Sequence, residues 1–330
     1  MRSPVAVARR GATSDRRVEL TLGALAVGVL AFIAFFAVSV LAKGLPSFVH
    51  NDFVGWFLPG GDADVQLHDI QLSGGAHVIY HFRAWPLIWG TVLTTGLAVA
   101  IGLTMSLLSA IFMVEFAPPL LRRIMAPVVR LLAGVPSVVY GLIGILAIAP
   151  YVNRHLISQT RKTSVEYVVS LTGTDLAVAT LILTVMVTPI MVAIISGALS
   201  SVPASWSEGS AALGTNRWRT IWRIGVHTAR PAIIAAGVLA IARALGEAIM
   251  LSMVSGSRGF APNPLDGITF LFEPVRPLAA TIVDNAEAIS VPPLGQTLYA
   301  MASVLLVSSL LLSFAGWAAK RPLRRYGIRA

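Results

Sequence analysis

The chain has 330 residues, 56% of them apolar and only 12% charged, with a formal net charge of +10 and no cysteine. Soluble domains average about 25% charged residues, so this composition excludes a fully water-facing protein and implies surplus apolar surface in lipid. The missing thiols exclude disulfides and thiolate metal sites, and the histidines form no H-E-x-x-H motif, so no protein-bound metal is expected.

The basic excess does not form a nucleic-acid stripe. It sits in short clusters between long apolar runs, the pattern of topology determinants. Six runs are long enough to cross a bilayer as helices: 20–42, 86–114, 124–150, 176–199, 231–254 and 294–318. With the N-terminus inside, seventeen Lys and Arg fall on the inner side and seven outside, and Arg243 lies within a span. Six spans return the C-terminus to the inside, where its basic residues belong. The expected fold class is an all-α polytopic membrane protein.

In chain order, 1–19 is read as a cytoplasmic tail. The run 20–42 is read as a retained anchor, because it exceeds the 7–15 residues of a signal peptide core, and Leu41-Ala42-Lys43-Gly44 makes a poor cleavage site. Arg16-Arg17 is only weakly like a twin-arginine signal. Segment 43–85 lies outside; it is either a connecting loop with packed aromatics (Phe53, Trp56, Phe57) or a docking surface for an external partner. A tight turn near Phe116–Leu121 leads into the third span, which Pro136 interrupts beside Gly134 and Ser137. Ser137 and Tyr140 there either line a pathway as hydrogen-bond donors or bond to the preceding turn in a packing kink. Thr184 and Thr188, four apart before Pro189, raise the same pair of readings.

The inner segment 200–230 reads SVPASWSEGSAALGTNRWRTIWRIGVHTARP. Pro203 starts a short helix, Gly214 ends it, and a second helix follows through Arg217–Ile224 with aromatic and basic residues alternating. Such a segment is either an interfacial anchor or a rigid knob for a groove on another subunit. Segment 255–293, with six prolines, should be irregular.

In the fifth span, Arg243 and Glu247 are ionisable residues far from the span ends. An unpaired arginine at that depth costs about 3 kcal/mol on insertion scales. Four apart on a continuous helix, they share a face and can pair. The pair either fixes helix packing or forms an anion site, with Arg243 offering a forked donor and Glu247 holding the empty guanidinium.

Segment 200–230 resembles the coupling loop of ABC importer permeases, with Glu208, Ala211, Ala212 and Gly214 in the E-A-A-x-x-x-G frame and Ile224 following at the expected distance. Gly209 and Ser210 replace the two alanines, and Val226 and His227 stand where Leu and Pro are usual. Ala242–Gly256, ARALGEAIMLSMVSG, resembles the R-A-L-G-E-T segment of phosphate permeases, and Gly134–Leu142, GVPSVVYGL, resembles their P-S-I-V-Y-G segment. The likeness spans about 86–318 and is closest to the PstC-type subunit. It implies a type I, MetI-like permease fold in the bacterial plasma membrane. It also implies a PstA-like sister permease, two PstB-like ATPases and an external PstS-like phosphate-binding protein. No G-x-x-x-x-G-K-[ST] motif occurs, so ATP and Mg are expected on the partner ATPase, and no cofactor or nucleic acid on this chain. An ion-coupled secondary transporter or a membrane-embedded enzyme is the rival class. No convincing repeat, one intramembrane acid and no nucleophile–base constellation count against them.

Overall fold

A computed structural model describes residues 4–73, 80–165, 170–259 and 261–320. Residues 1–3 of the expected inner tail, Arg2 among them, lie outside these. So does the basic run Arg321, Arg324, Arg325 and Arg329. Among the described residues, six helices are long and apolar enough to cross a membrane: Val18–His50, Trp85–Phe116, Ser137–His155, Leu176–Ser200, Arg217–Leu245 and Leu294–Ala318.

The first run forms part of one 47-residue helix, α1 (Pro4–His50). At 1.5 Å per residue it is about 70 Å long, more than twice the hydrocarbon thickness. Its residues from Val18 to Phe36 are exposed, and burial begins near Ala37, where α1 meets the last helix. Gly44 makes that meeting possible. A Cβ there would stand 2.8 Å from the Ala300 nitrogen and the Tyr299 oxygen, so the two backbones cross almost in contact. One turn on, the Ser47 and Thr297 hydroxyls bond at 3.2 Å.

Segment 43–85 is more than a loop. α1 continues to His50, and two short helices follow, α2 (Phe53–Phe57) and α3 (Ala63–Leu72). Asp62 caps α3 through the Asp64 N–H at 2.8 Å. Trp56, Ile70 and Phe82 are fully buried, in one cluster with Leu87, Leu294 and Leu298. Of the aromatics expected to pack, Trp56 does, whereas Phe53 stays exposed and only borders Phe48 and Phe57.

The main core lies where α4 (Trp85–Ile111) packs along α9 (Leu176–Ser200), with Ala98, Val187, Met191 and Ile195 buried between them. Asp175 starts α9 by accepting the Val178 N–H at 2.9 Å. A π-helical turn, Phe112–Phe116, widens the end of the second span.

Two expected spans are redrawn. The run 124–150 is not one helix. α5 (Pro119–Ala133) ends at Gly134, α6 (Ser137–Ile143) begins after Pro136, and the helical run continues through a π turn into α7 (Ala149–His155). Pro136 has no N–H to continue α5, and it biases Val135 away from helical geometry. α5 has no buried residue, and the crossing helix is Ser137–His155. A further short helix, α8 (Gln159–Val165), precedes α9.

The run 231–254 is also broken, and it starts earlier than expected. After α10 (Ala204–Ala212) comes a helical run from α11 (Arg217–Thr220) through a π turn, Ile221–Val226, into α12 (His227–Leu245). Pro231 lies inside this helix rather than at its boundary. The helix stops at Leu245, and α13 (Ile249–Val254) resumes after Gly246–Ala248. A 3-10 segment, Pro264–Phe272, then leads to α14 (Leu278–Asp284) and α15 (Leu294–Lys320). The irregular reading of 255–293 matches its short helices and turns.

Candidate functional site

The two breaks meet. α6 and α13 cross at Gly141, where an added Cβ would lie 3.3 Å from the Met250 Cα and 2.8 Å from the Met253 sulfur. This approach brings the Gly134–Pro136 break beside the Gly246–Ala248 break. Non-helical backbone at membrane depth is tolerated where it is buried in protein or lines a cavity.

Arg243 occupies the last turn of α12, where carbonyls lacking an intrahelical partner favour a cation. It is half-buried, and its Nε is fully buried without a hydrogen-bond partner. Glu247 is buried and does not face Arg243 across a helix turn. Its Oε1 accepts the Met250 N–H at 3.3 Å, satisfying the first turn of α13. Among the described residues, ion pairs form at Arg217–Glu115, Arg276–Asp64 and Arg276–Asp284, and none joins Arg243 to Glu247. The expected pairing needed an unbroken helix, and Gly246 ends the helix between them.

Tyr140 is buried on α6, the helix that packs against α13 at Gly141. Its proton is already committed: the hydroxyl donates to the Leu132 carbonyl at 2.9 Å, back across the break. The expected donor role is filled in this conformation by a brace, leaving the hydroxyl its acceptor lone pairs. Ser137 is half-buried at the first position of α6.

Thr184 and Thr188 lie elsewhere, along the α4–α9 seam. Thr184 is buried and donates to the Thr180 carbonyl at 2.7 Å, with the Ala98 carbonyl at 3.3 Å. Thr188 donates to the Thr184 carbonyl at 2.7 Å. Both hydroxyls bond to the preceding turn, so of the two readings the packing one describes them here.

Before the other end of the helical run Arg217–Leu245, α10 carries Glu208, Ala211 and Ala212, all exposed, on a helix with no buried residue. Gly214 ends it with φ +73°, and a Schellman pair closes the turn: Gly214 N–H to the Ala211 carbonyl at 2.9 Å and Thr215 N–H to the Ser210 carbonyl at 3.2 Å. The Ser210 and Thr220 hydroxyls bond at 2.8 Å, clasping α10 to α11. Arg217 donates to the Glu115 carbonyl, approaches its carboxylate at 3.9 Å and lies 4.7 Å over the Phe116 ring. The exposed hairpin is thereby fixed to the π turn that follows α4.

Several working side chains were missed from sequence. Asp175 stands directly before an apolar run, a start signal that was open to reading. It is fully buried, its Oδ2 has no partner, and burial pushes its carboxyl up to about 7 against the N–H groups of Val178 and Ala177. Glu273 is likewise raised, first by burial and then by the charge of Asp266. His77 and His81 stand four apart, but His77 lies outside the described residues; among those described, no group of three His, Asp or Glu could hold a metal.

Comparison with known proteins places this arrangement. The profile of binding-protein-dependent transport system inner membrane components matches residues 102–322. A probable ABC transporter permease protein, YqgH of Bacillus subtilis, is 36% identical over 228 residues, covering 68% of each chain. The phosphate transport system permease protein PstC 1 of Mycobacterium tuberculosis is 32% identical over 258 residues, 74% of this chain and 75% of that one. Among solved structures, a chain of a bacterial alginate ABC transporter superposes with TM-score 0.58 at 15% identity, covering 96% of this chain and 99% of that one. A chain of the MetNI methionine ABC transporter gives 0.52 at 16%, covering 72% and 96%. The chain shares its fold with these ABC transporter chains. The chain belongs to the family of binding-protein-dependent transport system inner membrane components.

Proposed function

We propose that this chain is the PstC-type permease subunit of an ATP-driven importer that carries inorganic phosphate across the bacterial plasma membrane. Both termini are cytoplasmic in this reading, with 43–85 and 255–293 outside and α10 inside. A PstA-like sister completes the pathway, two PstB-like ATPases bind ATP and Mg, and a PstS-like protein delivers phosphate from outside. The similarity to curated phosphate permeases over three quarters of the chain supports the substrate class.

The observation that carries the reading is the Arg243 guanidinium, held at the junction of two interrupted helices with a buried Nε that has no hydrogen-bond partner among the described residues. A guanidinium stays charged at any physiological pH, and its planar fork matches two oxygens of one phosphate. Glu247 stands four residues away, and its negative charge weakens phosphate binding enough to favour release. α10, with Glu208, Ala211, Ala212 and Gly214, is the knob that seats in an ATPase groove. The test is uptake of radiolabelled phosphate by the reconstituted complex, with sulfate and molybdate as competitors. Phosphate uptake that requires ATP and is not suppressed by equimolar sulfate or molybdate is expected. Uptake without an ATPase, or preference for another oxyanion, overturns the reading.

A further inference from the structure

A chain of polar contacts runs from the external helix α3 to α13, the helix that begins beside Arg243. Arg276 is its centre. Its backbone is pinned against α4: an added Cβ on Gly90 would meet the Arg276 carbonyl oxygen at 3.5 Å, and two residues on, the Leu278 N–H donates to the Thr91 hydroxyl at 2.9 Å. From this fixed point the side chain, only 13% exposed, reaches two elements. Nη1 donates to Asp64 Oδ1 on α3 at 2.5 Å. Nε and Nη2 both donate to Asp284 Oδ2 on α14, at 3.2 and 3.1 Å. Asp284 passes the contact on, its Oδ1 accepting the Ser252 hydroxyl of α13. Asp64 also ties in the loop after α13, its Oδ2 accepting the Gly259 N–H at 2.8 Å. The corner between is held by Ser257, a non-glycine at φ +45° whose hydroxyl donates to the Ser252 carbonyl at 3.0 Å.

We infer that Arg276 is a positioning residue that links the external segment to α13, so that a displacement of α3 is carried to the helix break beside Arg243. Lone exposed pairs contribute little, but these three side chains are mostly shielded and share one guanidinium. Without it, two carboxylates on different elements face each other with no cation between them. Every step has a defined partner on a short rigid element, which is what transmission between sites requires. The two acids are also held by a fork: lysine could reach one of them but could not bridge both in the same geometry.

The inference rests on the importer reading, with α3 on the side where the binding protein arrives. The test uses the complete complex in lipid nanodiscs. It reads the ratio of ATPase turnover with the phosphate-loaded external binding protein to turnover without it. A change that only loosened the fold would lower both rates together; a broken link lowers the ratio. Arg276→Gln is expected to keep basal turnover and to cut the ratio about fivefold, with Arg276→Lys between it and wild type. Wild-type ratio and uptake in Arg276→Gln overturn the inference. If Arg276→Gln does not assemble, Ser252→Ala decides, since it removes only the last link; a wild-type ratio in that variant overturns the inference too. Wild-type complex without phosphate uptake or binding-protein stimulation would instead count against the importer reading itself, so the two failures are distinguishable.

Discussion

Helix α12 ends between Arg243 and Glu247, so two charges four residues apart in sequence serve different helices. Arg243 closes α12 with a free buried Nε, and Glu247 opens α13 by accepting the Met250 N–H. The broken helix is therefore more than a kink. It leaves the Arg243 guanidinium and the Glu247 carboxylate unpaired with each other, on two different helices.

That separation predicts graded transport. Arg243→Lys keeps the charge and loses the fork, so phosphate uptake should fall; Arg243→Met keeps the stem only, and uptake should be near zero. A double variant, Arg243→Met with Glu247→Gln, should assemble and remain inactive if the arginine serves the substrate, as proposed, and not Glu247. Uptake in proteoliposomes, normalised to assembled complex, decides it. Wild-type transport by the double variant would make Arg243 a packing residue.

Glu247 should separate by chemistry as well. Gln keeps an oxygen for the Met250 N–H, and Ala leaves the first turn of α13 unpartnered, at a cost of about 0.5–2 kcal/mol. Glu247→Ala should therefore lower the melting temperature of the complex and Glu247→Gln should not. Equal melting of all three proteins would remove the capping role.

The number of spans, their order and the helix–glycine turn–helix hairpin at 204–220 were legible because apolar length and glycine placement are local signals. Pro136 and Gly134 showed that the third run was interrupted. The second interruption was not read, because Gly246 alone does not end a helix; packing of α13 on α6 at Gly141 completes it. The same blindness produced the expected Arg243–Glu247 pair. For Thr184 and Thr188 the sequence leaves a pathway role and a packing role both open, because it does not show which carbonyl takes a hydroxyl proton. Arg276, Asp64 and Asp284 come from three separated segments, a juxtaposition that only the fold supplies.

Gly214 holds φ +73° with open space around its absent side chain, so a substitution there is opposed by backbone strain and not by collision. For an L residue that strain is about 1–2 kcal/mol, less for Asn and more for a β-branched residue. Gly214→Val should undo the Schellman turn, loosen ATPase co-purification and block uptake while the membrane domain still inserts. Gly214→Asn should retain most of both. Normal co-purification and uptake in Gly214→Val would show that this turn does not set the coupling geometry.

Gly44 offers the opposite case, a collision without strain. A Cβ there would press on Ala300 backbone atoms at 2.8–2.9 Å, whereas Gly23 on the same helix has nothing within 4 Å. Gly44→Leu should force α1 away from α15 and destabilise the protein by about 1–3 kcal/mol, in line with overpacking elsewhere. Gly23→Leu, facing open space, should leave melting unchanged. If the two variants melt alike, the α1–α15 crossing is not a tight contact.

Asp175 should make stability depend on pH. Its carboxyl is pushed from 3.8 up to about 7 by burial, against the pull of two backbone N–H groups. Between those values the unfolded chain has released this proton and the folded chain still holds it. Folded protein then binds more protons than unfolded, so this group's contribution to stability falls as pH rises from 3.8 towards about 7 and levels off above. Asp175→Asn cannot ionise, yet it keeps an oxygen for the Val178 N–H. It should flatten this part of the pH dependence and melt higher than wild type at pH about 8, with little difference near pH 4, where both side chains are neutral. Asp175→Ala loses the cap as well and should be less stable than Asn by about 1 kcal/mol at every pH. Thermal melting of the detergent-solubilised complex across that range measures all three. An identical pH slope in wild type and Asp175→Asn would mean that Asp175 is ionised throughout, held by its N–H partners despite its burial.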